Sequence, residues 1–293
     1  MSAFMAESVL LEGKKVGERI REELRREIGE IKKQDGTVPN LACLILGNDP
    51  AAESYTEAQE KCARALGIEF QRYSLDDRID EESLIGQIED LNMKGSGVHG
   101  IMIQLPLPSH IDPANIYCKI DPQKDVEGIH PASLGFLLMR KAKLIPATAL
   151  ACMTLIDETG IDCRGKEAVI VGQSAIVGRP VQLLLAERRA TTILCNTGTP
   201  ELRLASFVQS ADIVVACAGK PGLIRGEWIR EGAVVIDVGT TEVNGKIVGD
   251  VQFEEAKKRA KFITPVPGGV GPLTVLMLMK NLLRAYRLQR ELS

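Results

Sequence analysis

A few polar side chains have the type and spacing to bind and transform a heterocyclic substrate. Tyr55 and Gln59 are four residues apart, which places them on one face of a predicted helix. Such a pair is usually structural. Gln104 ends a predicted strand, and ligands of α/β proteins bind at the carboxyl ends of parallel strands. Asp125 is either a solvated loop acid or a hydrogen-bond acceptor for an amino-substituted heterocycle, and the residues alone leave both open.

A glycine turn in the second half of the chain has the context of a dinucleotide site. It runs from Gly172 to Gly178 between a predicted strand and a predicted helix, where backbone N–H groups can point at a pyrophosphate. The match to G-x-G-x-x-G is imperfect, because Ser174 replaces the second glycine and Gly178 falls one position late. A plain strand-to-helix turn explains the motif nearly as well. The segment 195–198, where the ribose would be read, offers neither an acid for a 2′-hydroxyl nor an arginine for a 2′-phosphate.

A second glycine turn has the sequence Pro-Val-Pro-Gly-Gly-Val-Gly-Pro and spans residues 265–272. Its glycines leave the backbone bare, and its prolines fix φ on both sides. The turn either connects a strand tightly to the following helix or offers a flat surface to a ligand.

The elements that would position these residues alternate between strands and helices. This alternation is typical of α/β proteins with parallel sheets, and the second half reads as a Rossmann-like succession. We place a domain boundary near residue 148. The predicted strands are 41–46, 68–75, 98–104, 168–171, 191–195, 213–216 and 233–238, and the predicted helices are 16–31, 51–66, 83–93, 112–120, 131–140, 148–158, one ending near 187, 201–209 and 273–288.

The totals exclude several classes of function. The 293 residues are 45% hydrophobic and 26% charged, as in ordinary globular proteins of one large or two smaller domains. A net charge of −3 gives no basic field for nucleic acid or an anionic membrane, and neither a signal peptide nor a membrane span is predicted. Seven scattered cysteines predict reduced thiols in a cytoplasmic protein, and three histidines without ligand spacing predict no metal site.

Six segments, in one order along nearly the whole chain, resemble the bifunctional methylenetetrahydrofolate dehydrogenase/cyclohydrolase family, the FolD type. A single segment would be a weak match, whereas six in register are specific. The segments are Gly47–Tyr55, Gln104–Pro108, Lys124–Pro131, Gly172–Pro180, Gly249–Val251 and Thr264–Pro272.

The resemblance implies a fold and a reaction. The expected fold is a two-domain α/β protein with a cleft between an N-terminal folate domain, 1–148, and a Rossmann-like NAD(P)-binding domain, 149–271. The final helix, 272–293, would return to the first domain. The implied reaction oxidises 5,10-methylenetetrahydrofolate with NADP or NAD, followed in the family by hydrolysis to 10-formyltetrahydrofolate. A homodimer is also implied.

The resemblance assigns roles to particular residues. Tyr55 would stack on the folate, and Asp125 would bind its pterin end. The catalytic residues implied are Tyr55, Gln59, Gln104 and Asp125; further substrate-binding residues are Ile103, Leu105, Pro267, Gly268, Gly269, Val270 and Gly271; cofactor-binding residues are Gly172, Gln173, Ser174, Val177, Gly178, Asn196, Thr197 and Thr240.

One departure from the family bears on the hydrolytic step. Family members carry lysine at the position of Gln59, and this lysine, beside the residue at Gln104, supports proton transfer. A glutamine amide can hydrogen-bond but cannot supply or hold a proton at neutral pH. Lys61 is two residues further on, about 200° around the helix, and is a poor substitute. Hydride transfer mainly requires placement, so we expect the dehydrogenase to survive and the cyclohydrolase to be weak or absent.

Three milder departures leave other questions open. The family's Pro-Cys-Thr-Pro reads Pro-Ala-Thr-Ala at 146–149, and its Gly-Ile-Asn reads Gly-Thr-Thr at 239–241. Position 173, arginine in some NADP-using members, is Gln173, which leaves the choice between NAD and NADP open with a tilt toward NAD. Two alternatives to a methylenetetrahydrofolate dehydrogenase are a folate-binding or regulatory paralogue that has lost turnover and a different two-domain dehydrogenase, such as a shikimate-type enzyme.

Overall fold

The computed structural model describes residues 8–291 as two compact units. Of the described residues, one unit comprises 8–18 and Thr148–Thr274, and the other comprises Arg19–Ala147 and 275–291. We call them the six-stranded unit and the three-stranded unit after their main sheets. Residues 1–7 and 292–293, to which the domain ranges and the signal-peptide expectation extend, lie outside the described residues. Between residues 8 and 291, no helix is both long and apolar enough to cross a membrane.

The helices and strands follow the predicted alternation. The strands are β1 (Val9–Leu10), β2 (Asn40–Leu46), β3 (Glu69–Leu75), β4 (Gly100–Ile103), β5 (Glu167–Val171), β6 (Thr191–Cys195), β7 (Ile213–Ala216), β8 (Val234–Asp237), β9 (Thr241–Val243), β10 (Lys246–Val248) and β11 (Phe262–Ile263). The helices are α1 (Gly13–Asp35), α2 (Pro50–Leu66), α3 (Glu81–Asn92), α4 (Pro113–Tyr117), α5 (Pro131–Leu138), α6 (Ala147–Glu158), α7 (Gly178–Glu187), α8 (Glu201–Ser210), α9 (Phe253–Ala256) and α10 (Val270–Glu291), with a short 3-10 turn at Gly226–Trp228.

The six-stranded unit has a parallel Rossmann-like sheet in the order β1-β11-β8-β7-β5-β6. Strands β5, β7 and β8 lie inside the sheet and are almost continuously apolar, because both of their faces are covered. Strand β6 forms one edge. The loops after β5, β6 and β7 therefore meet at one edge of the sheet, which is the usual dinucleotide position in this architecture.

The three-stranded unit has a parallel sheet in the order β3-β2-β4, with β2 buried along its whole length. The last helix, α10, contributes side chains to this unit. Asn281 donates to the carbonyl oxygens of Val126 and Ile145, both at 2.8 Å, and the Tyr286 hydroxyl bonds to Asp35 at 2.9 Å. The C-terminal helix thus holds the loops that carry the acidic segment 124–128.

The sequence-based domain ranges need a correction at the N-terminus. They assign residues 8–18 to the first domain, whereas these residues belong to the six-stranded unit because Val9 pairs in parallel with Phe262. A two-residue strand carries too little pattern to be predicted. The boundary between the two units falls within α10, after Thr274, whereas the sequence-based boundary falls before residue 272.

Two kinds of local difference remain. Helix α10 begins at Val270 and not at 273, because the first turn of a helix tolerates Pro272, whose missing N–H has no helical partner there. The antiparallel hairpin β9–β10 and the short helix α9 were not predicted.

Candidate active site

Helix α2 fixes the positions of Tyr55 and Gln59. Its N-terminus is capped by Asp49, whose side chain accepts from the N–H of Ala52 at 2.8 Å, and it ends at Gly67 in the left-handed conformation. Tyr55 is 38% exposed, whereas Gln59 is 1% exposed. The Oε1 atom of Gln59 accepts no hydrogen bond from any residue between 8 and 291. A buried amide oxygen without a partner is unusual and marks a place where a ligand or water is expected.

The end of β4 supplies a second such amide. The backbone N–H of Gln104 donates to Leu44 at 2.9 Å, which aligns the residue with the central strand β2. Its Oε1 atom is buried and has no hydrogen-bond partner in the described part of the chain. Ile103 before it is buried, and Leu105 after it is 38% exposed and precedes a cis proline.

Asp125 is occupied by its own loop. Its two carboxylate oxygens accept from the backbone N–H groups of Gly128, Ile129 and His130 and from the hydroxyl of Ser133, at 2.7 to 3.3 Å. A carboxylate has about four lone-pair sites, and these four donors use them. The geometry assigns Asp125 to holding the loop, and it leaves no acceptor for a further ligand.

Glu127 is the carboxyl group of the same loop that remains available. Its Oε2 atom accepts one long bond, 3.4 Å, from the N–H of Ile103. Burial, with a smaller contribution from the charge of Asp125, raises the pKa of Glu127 to about 8. Desolvation and then the charge of Glu127 raise the pKa of Tyr55 to about 12, which places the two groups within electrostatic reach. The pattern of the sequence did not single out Glu127.

These residues form one neighbourhood in the three-stranded unit. Burial raises the pKa of the Cys43 thiol on β2, and the charge of Glu127 raises it further, so Glu127 lies close enough to β2 to act on it. The neighbourhood holds hydrogen-bonding amides, a tyrosine and a carboxyl group of raised pKa. Position 59 is a glutamine and contributes no charge.

A cavity of about 680 Å³ lies in the six-stranded unit at the ends of β5, β6 and β7. This volume is within the range of small-molecule and cofactor sites. The walls include five of the residues predicted to bind a cofactor, together with charged and apolar residues from the neighbouring loops. The lining residues are Val171, Gly172, Gln173, Ser174, Asn196, Thr197, Thr199, Glu201, Leu204, Cys217, Ala218, Lys220, Pro221, Gly222, Leu223, Arg225 and Trp228.

The glycines of the first turn are required by close backbone approaches. A side chain at Gly172 would lie 2.2 Å from the carbonyl oxygen of Cys217, and one at Gly178 would lie 1.9 Å from the carbonyl oxygen of Gly172. Gly178 therefore serves the helix–strand packing expected of the third glycine in the dinucleotide motif, although it falls one position late. Ser174 accepts from the N–H of Val177 at 3.1 Å and closes the turn. The bare backbone fits a pyrophosphate at the start of α7.

Two buried carboxylates shape the loop after β7. Asp250 is 0% exposed, and its Oδ2 atom accepts from the N–H groups of Ala218 and Gly219 at 2.6 and 2.9 Å. Asp237 in turn accepts from the N–H groups of Asp250 and Val251. Burial raises the pKa of Asp237 to about 6. The segment 249–251 thus supports one wall of the cavity and does not line it.

The second glycine turn also belongs to the six-stranded unit. Gly268 has φ of +109°, and the carbonyl oxygen of Gly268 accepts from the N–H of Gly13 at 2.9 Å. A side chain at Gly269 would meet Pro265 and Thr264 at 2.7 Å. Packing therefore accounts for Gly269, whereas Gly271 meets nothing within 4 Å and keeps its backbone open.

Comparison with known proteins decides the family. The model of the tetrahydrofolate dehydrogenase/cyclohydrolase catalytic domain matches residues 11–127, and that of the NAD(P)-binding domain of the same proteins matches residues 146–290. The chain belongs to the tetrahydrofolate dehydrogenase/cyclohydrolase family.

Individual relatives support this assignment over nearly their full length. The bifunctional protein FolD of Aquifex aeolicus is 43% identical over 96% of both chains, and that of Acetivibrio thermocellus is 44% identical over 98% of this chain and 100% of the relative. The crystal structure of the Trypanosoma brucei dehydrogenase-cyclohydrolase, complexed with NADP and an inhibitor, has a TM-score of 0.93 at 40% identity and covers 98% and 99% of the two chains.

The structure brings some of the predicted site residues together and leaves others apart. The structure brings Gly172, Gln173, Ser174, Asn196 and Thr197 together in one cavity. Val177 and Gly178 form the turn beneath it, and the exposed Thr240 follows β8 outside the cavity lining. Tyr55, Gln59, Ile103, Gln104 and Leu105 lie in the three-stranded unit with Asp125, and Pro267 to Gly271 lie in the other. Glu127 and Asp250 were missed as site residues, although both stand inside motifs that carried the resemblance.

Proposed function

We propose that the chain oxidises 5,10-methylenetetrahydrofolate to 5,10-methenyltetrahydrofolate with NAD(P)+ and hydrolyses the product weakly or not at all. Family membership over nearly the whole chain supports the dehydrogenase, and the intact glycine turn and cavity support nucleotide binding. The single observation that carries the second half is Gln59, a neutral and nearly fully buried side chain.

The oxidation makes small demands on acid–base groups. A C–H bond of the methylene carbon breaks, both electrons leave with the hydrogen, and the two flanking nitrogens stabilise the resulting methenyl cation. NAD(P)+ supplies the hydride acceptor when bound. The protein mainly has to hold the methylene carbon of the substrate against the hydride acceptor. We assign stacking to Tyr55, hydrogen bonding to Gln104 and Gln59, and recognition of the aminated ring edge to Glu127, whose loop Asp125 holds in place.

The same proposal places the glycine turns on the two ligands. The bare backbone of Gly268 and Gly271 would lie along the folate, with Pro267 and Val270 setting the entry and exit of the turn. The turn from Gly172 to Gly178 would hold the pyrophosphate through its backbone N–H groups. A role of Thr240 in cofactor binding is supported only by the resemblance, because Thr240 lies outside the cavity lining.

Hydrolysis is more demanding. Water has to add to the methenyl carbon, lose a proton and allow the bond from that carbon to one nitrogen to break, with net release of one proton. A positioned acid–base group contributes about 10²- to 10⁴-fold to such a step. The Gln59 amide can orient water but cannot take or return its proton. The methenyl product is therefore expected to accumulate.

We further propose a cytoplasmic homodimer that acts on free folates. The seven cysteines are all unpaired thiols, which suits a reducing compartment. The net charge of −3 provides no bulk positive field, so an anionic folate would be held by specific contacts in the site. Size-exclusion chromatography with light scattering measures the oligomeric state directly.

The test is a two-stage assay on purified protein. The protein is mixed with 5,10-methylenetetrahydrofolate and either NAD or NADP, and methenyl formation is followed by its absorbance. Preformed methenyltetrahydrofolate is then added alone, and its decay is compared with that in buffer. We expect methenyl to form and persist. Absence of product with both nucleotides would refute the dehydrogenase, and rapid decay would refute the weak hydrolysis.

A further inference from the structure

The part of the cavity that would read the ribose is built from neutral amides. In a Rossmann unit, the residue after the second strand contacts the adenosine ribose. Here β6 ends at Cys195, and Asn196 follows. The Asn196 side chain donates to Oε1 of Gln173 at 3.3 Å and accepts from the N–H of Gly198 at 2.9 Å. The contacts at both ends hold the amide in place, and neither Asn196 nor Gln173 carries a charge.

The arginine of the cavity is already paired with a carboxylate. Arg225 donates to Glu201 at 2.6 Å, lies 3.9 Å from Glu227 and stacks on the ring of Trp228 with its guanidinium carbon 5.2 Å from the centroid. Glu201 itself lines the cavity. An incoming phosphate would have to compete with this carboxylate for the arginine.

The remaining cation of the lining is on the other wall. Lys220 follows β7, and β6 and β7 lie on opposite sides of β5. Two inter-strand spacings separate their ends, which is about 10 Å. Lys220 lies in the loop that Asp250 holds, on the β7 side of the cavity.

We infer that this cavity selects NAD over NADP, with the Gln173–Asn196 amide pair as the specificity determinant. The inference rests on the proposed dehydrogenase function and names its nucleotide. A 2′-hydroxyl can exchange hydrogen bonds with the two amides, because each amide both donates and accepts. A 2′-phosphate at the same place gains no charge partner from the two amides, and the Arg225 of the lining is already paired with Glu201, so the desolvation of the phosphate is poorly compensated.

Binding measurements without folate test the inference apart from turnover. Isothermal titration with NAD and with NADP on the wild-type protein should give a Kd at least about tenfold lower for NAD. Gln173→Arg should tighten NADP relative to NAD at least about tenfold, since a guanidinium beside Asn196 can pair with the 2′-phosphate.

Three control variants separate the local effect from others. Gln209→Arg adds the same charge on the exposed part of α8, outside the cavity, and should change neither Kd. Gln173→Met removes the amide without adding a cation and should not create NADP binding. Lys220→Gln should weaken both nucleotides equally or neither.

Each contrary result has a distinct meaning. Equal affinities, or tighter NADP, in the wild-type protein would overturn the selectivity and leave the dehydrogenase intact. NADP binding that Lys220→Gln alone abolishes would show that the lysine reads the phosphate, and would also overturn it. Failure of both nucleotides to bind would remove the proposed function and the inference together.

Discussion

One of the two candidate sites is formed mainly by backbone groups, and the other mainly by side chains. The cavity of the six-stranded unit is shaped by backbone, with glycines wherever a Cβ would collide and buried carboxylates that hold loop N–H groups. The site of the three-stranded unit depends on side-chain atoms, among them two buried amide oxygens without partners in the described chain and one carboxyl of raised pKa. A backbone site tolerates few substitutions, whereas a side-chain site can change its chemistry by one residue, as at position 59.

The largest expected effect comes from adding one carbon to the backbone site. Gly178→Ala would place a Cβ 1.9 Å from the carbonyl oxygen of Gly172, and backbone cannot move aside cheaply. We expect loss of nucleotide binding by more than about 100-fold, or destabilisation of the unit by about 3 kcal/mol or more. Titration calorimetry and urea denaturation measure the two outcomes.

A matched glycine tests whether the effect is local. Gly29 lies within α1 with no heavy atom within 4 Å of an added Cβ. Gly29→Ala should leave nucleotide binding unchanged and stabilise the protein by about 0.5–1 kcal/mol. Normal binding by Gly178→Ala would contradict the backbone account of the cavity.

The next effect distinguishes the two acids of the loop 124–128. Asp125→Asn keeps the shape but turns an NH₂ group toward donors that now lack an acceptor. Leaving buried donors unsatisfied costs on the order of 3 kcal/mol, measured by urea denaturation. Asp121→Asn is the control, because the Asp121 side chain in the preceding turn accepts one bond, from the N–H of Gln123, and its replacement should cost less than about 1 kcal/mol. Equal losses would remove the structural assignment of Asp125.

A smaller, pH-dependent effect is expected at Glu127. Its folded pKa, about 8, lies above the ordinary value of 4.5, so the folded state holds a proton that the unfolded state releases between these pH values. This group therefore costs stability increasingly as pH rises from about 4.5 to about 8. Glu127→Gln should be nearly neutral at pH 4 and more stable than wild type by on the order of 2 kcal/mol at pH 9. A pH-independent difference would show that Glu127 titrates normally.

The predictability of the two sites follows the same division. Glycine turns and the strand–helix alternation are local features, so the fold and the dinucleotide turn were visible in the sequence. The saturation of Asp125 and the availability of Glu127 depend on which N–H groups the folded loop presents, and no residue pattern encodes that. Strand β1 was missed because two residues acquire their role only by pairing with β11, about 250 positions away in sequence.

The most direct test of the account measures how the residue at position 59 changes the rate of methenyltetrahydrofolate hydrolysis. Methenyl hydrolysis is compared for the wild-type protein, Gln59→Lys and Gln59→Arg, with oxidation of methylenetetrahydrofolate as the internal reference. The lysine can carry a proton, whereas the arginine supplies charge alone. The account predicts hydrolysis at least about 100-fold faster in Gln59→Lys only, with oxidation changed far less. Equal hydrolysis in all three proteins, or fast hydrolysis by the wild type, would contradict it.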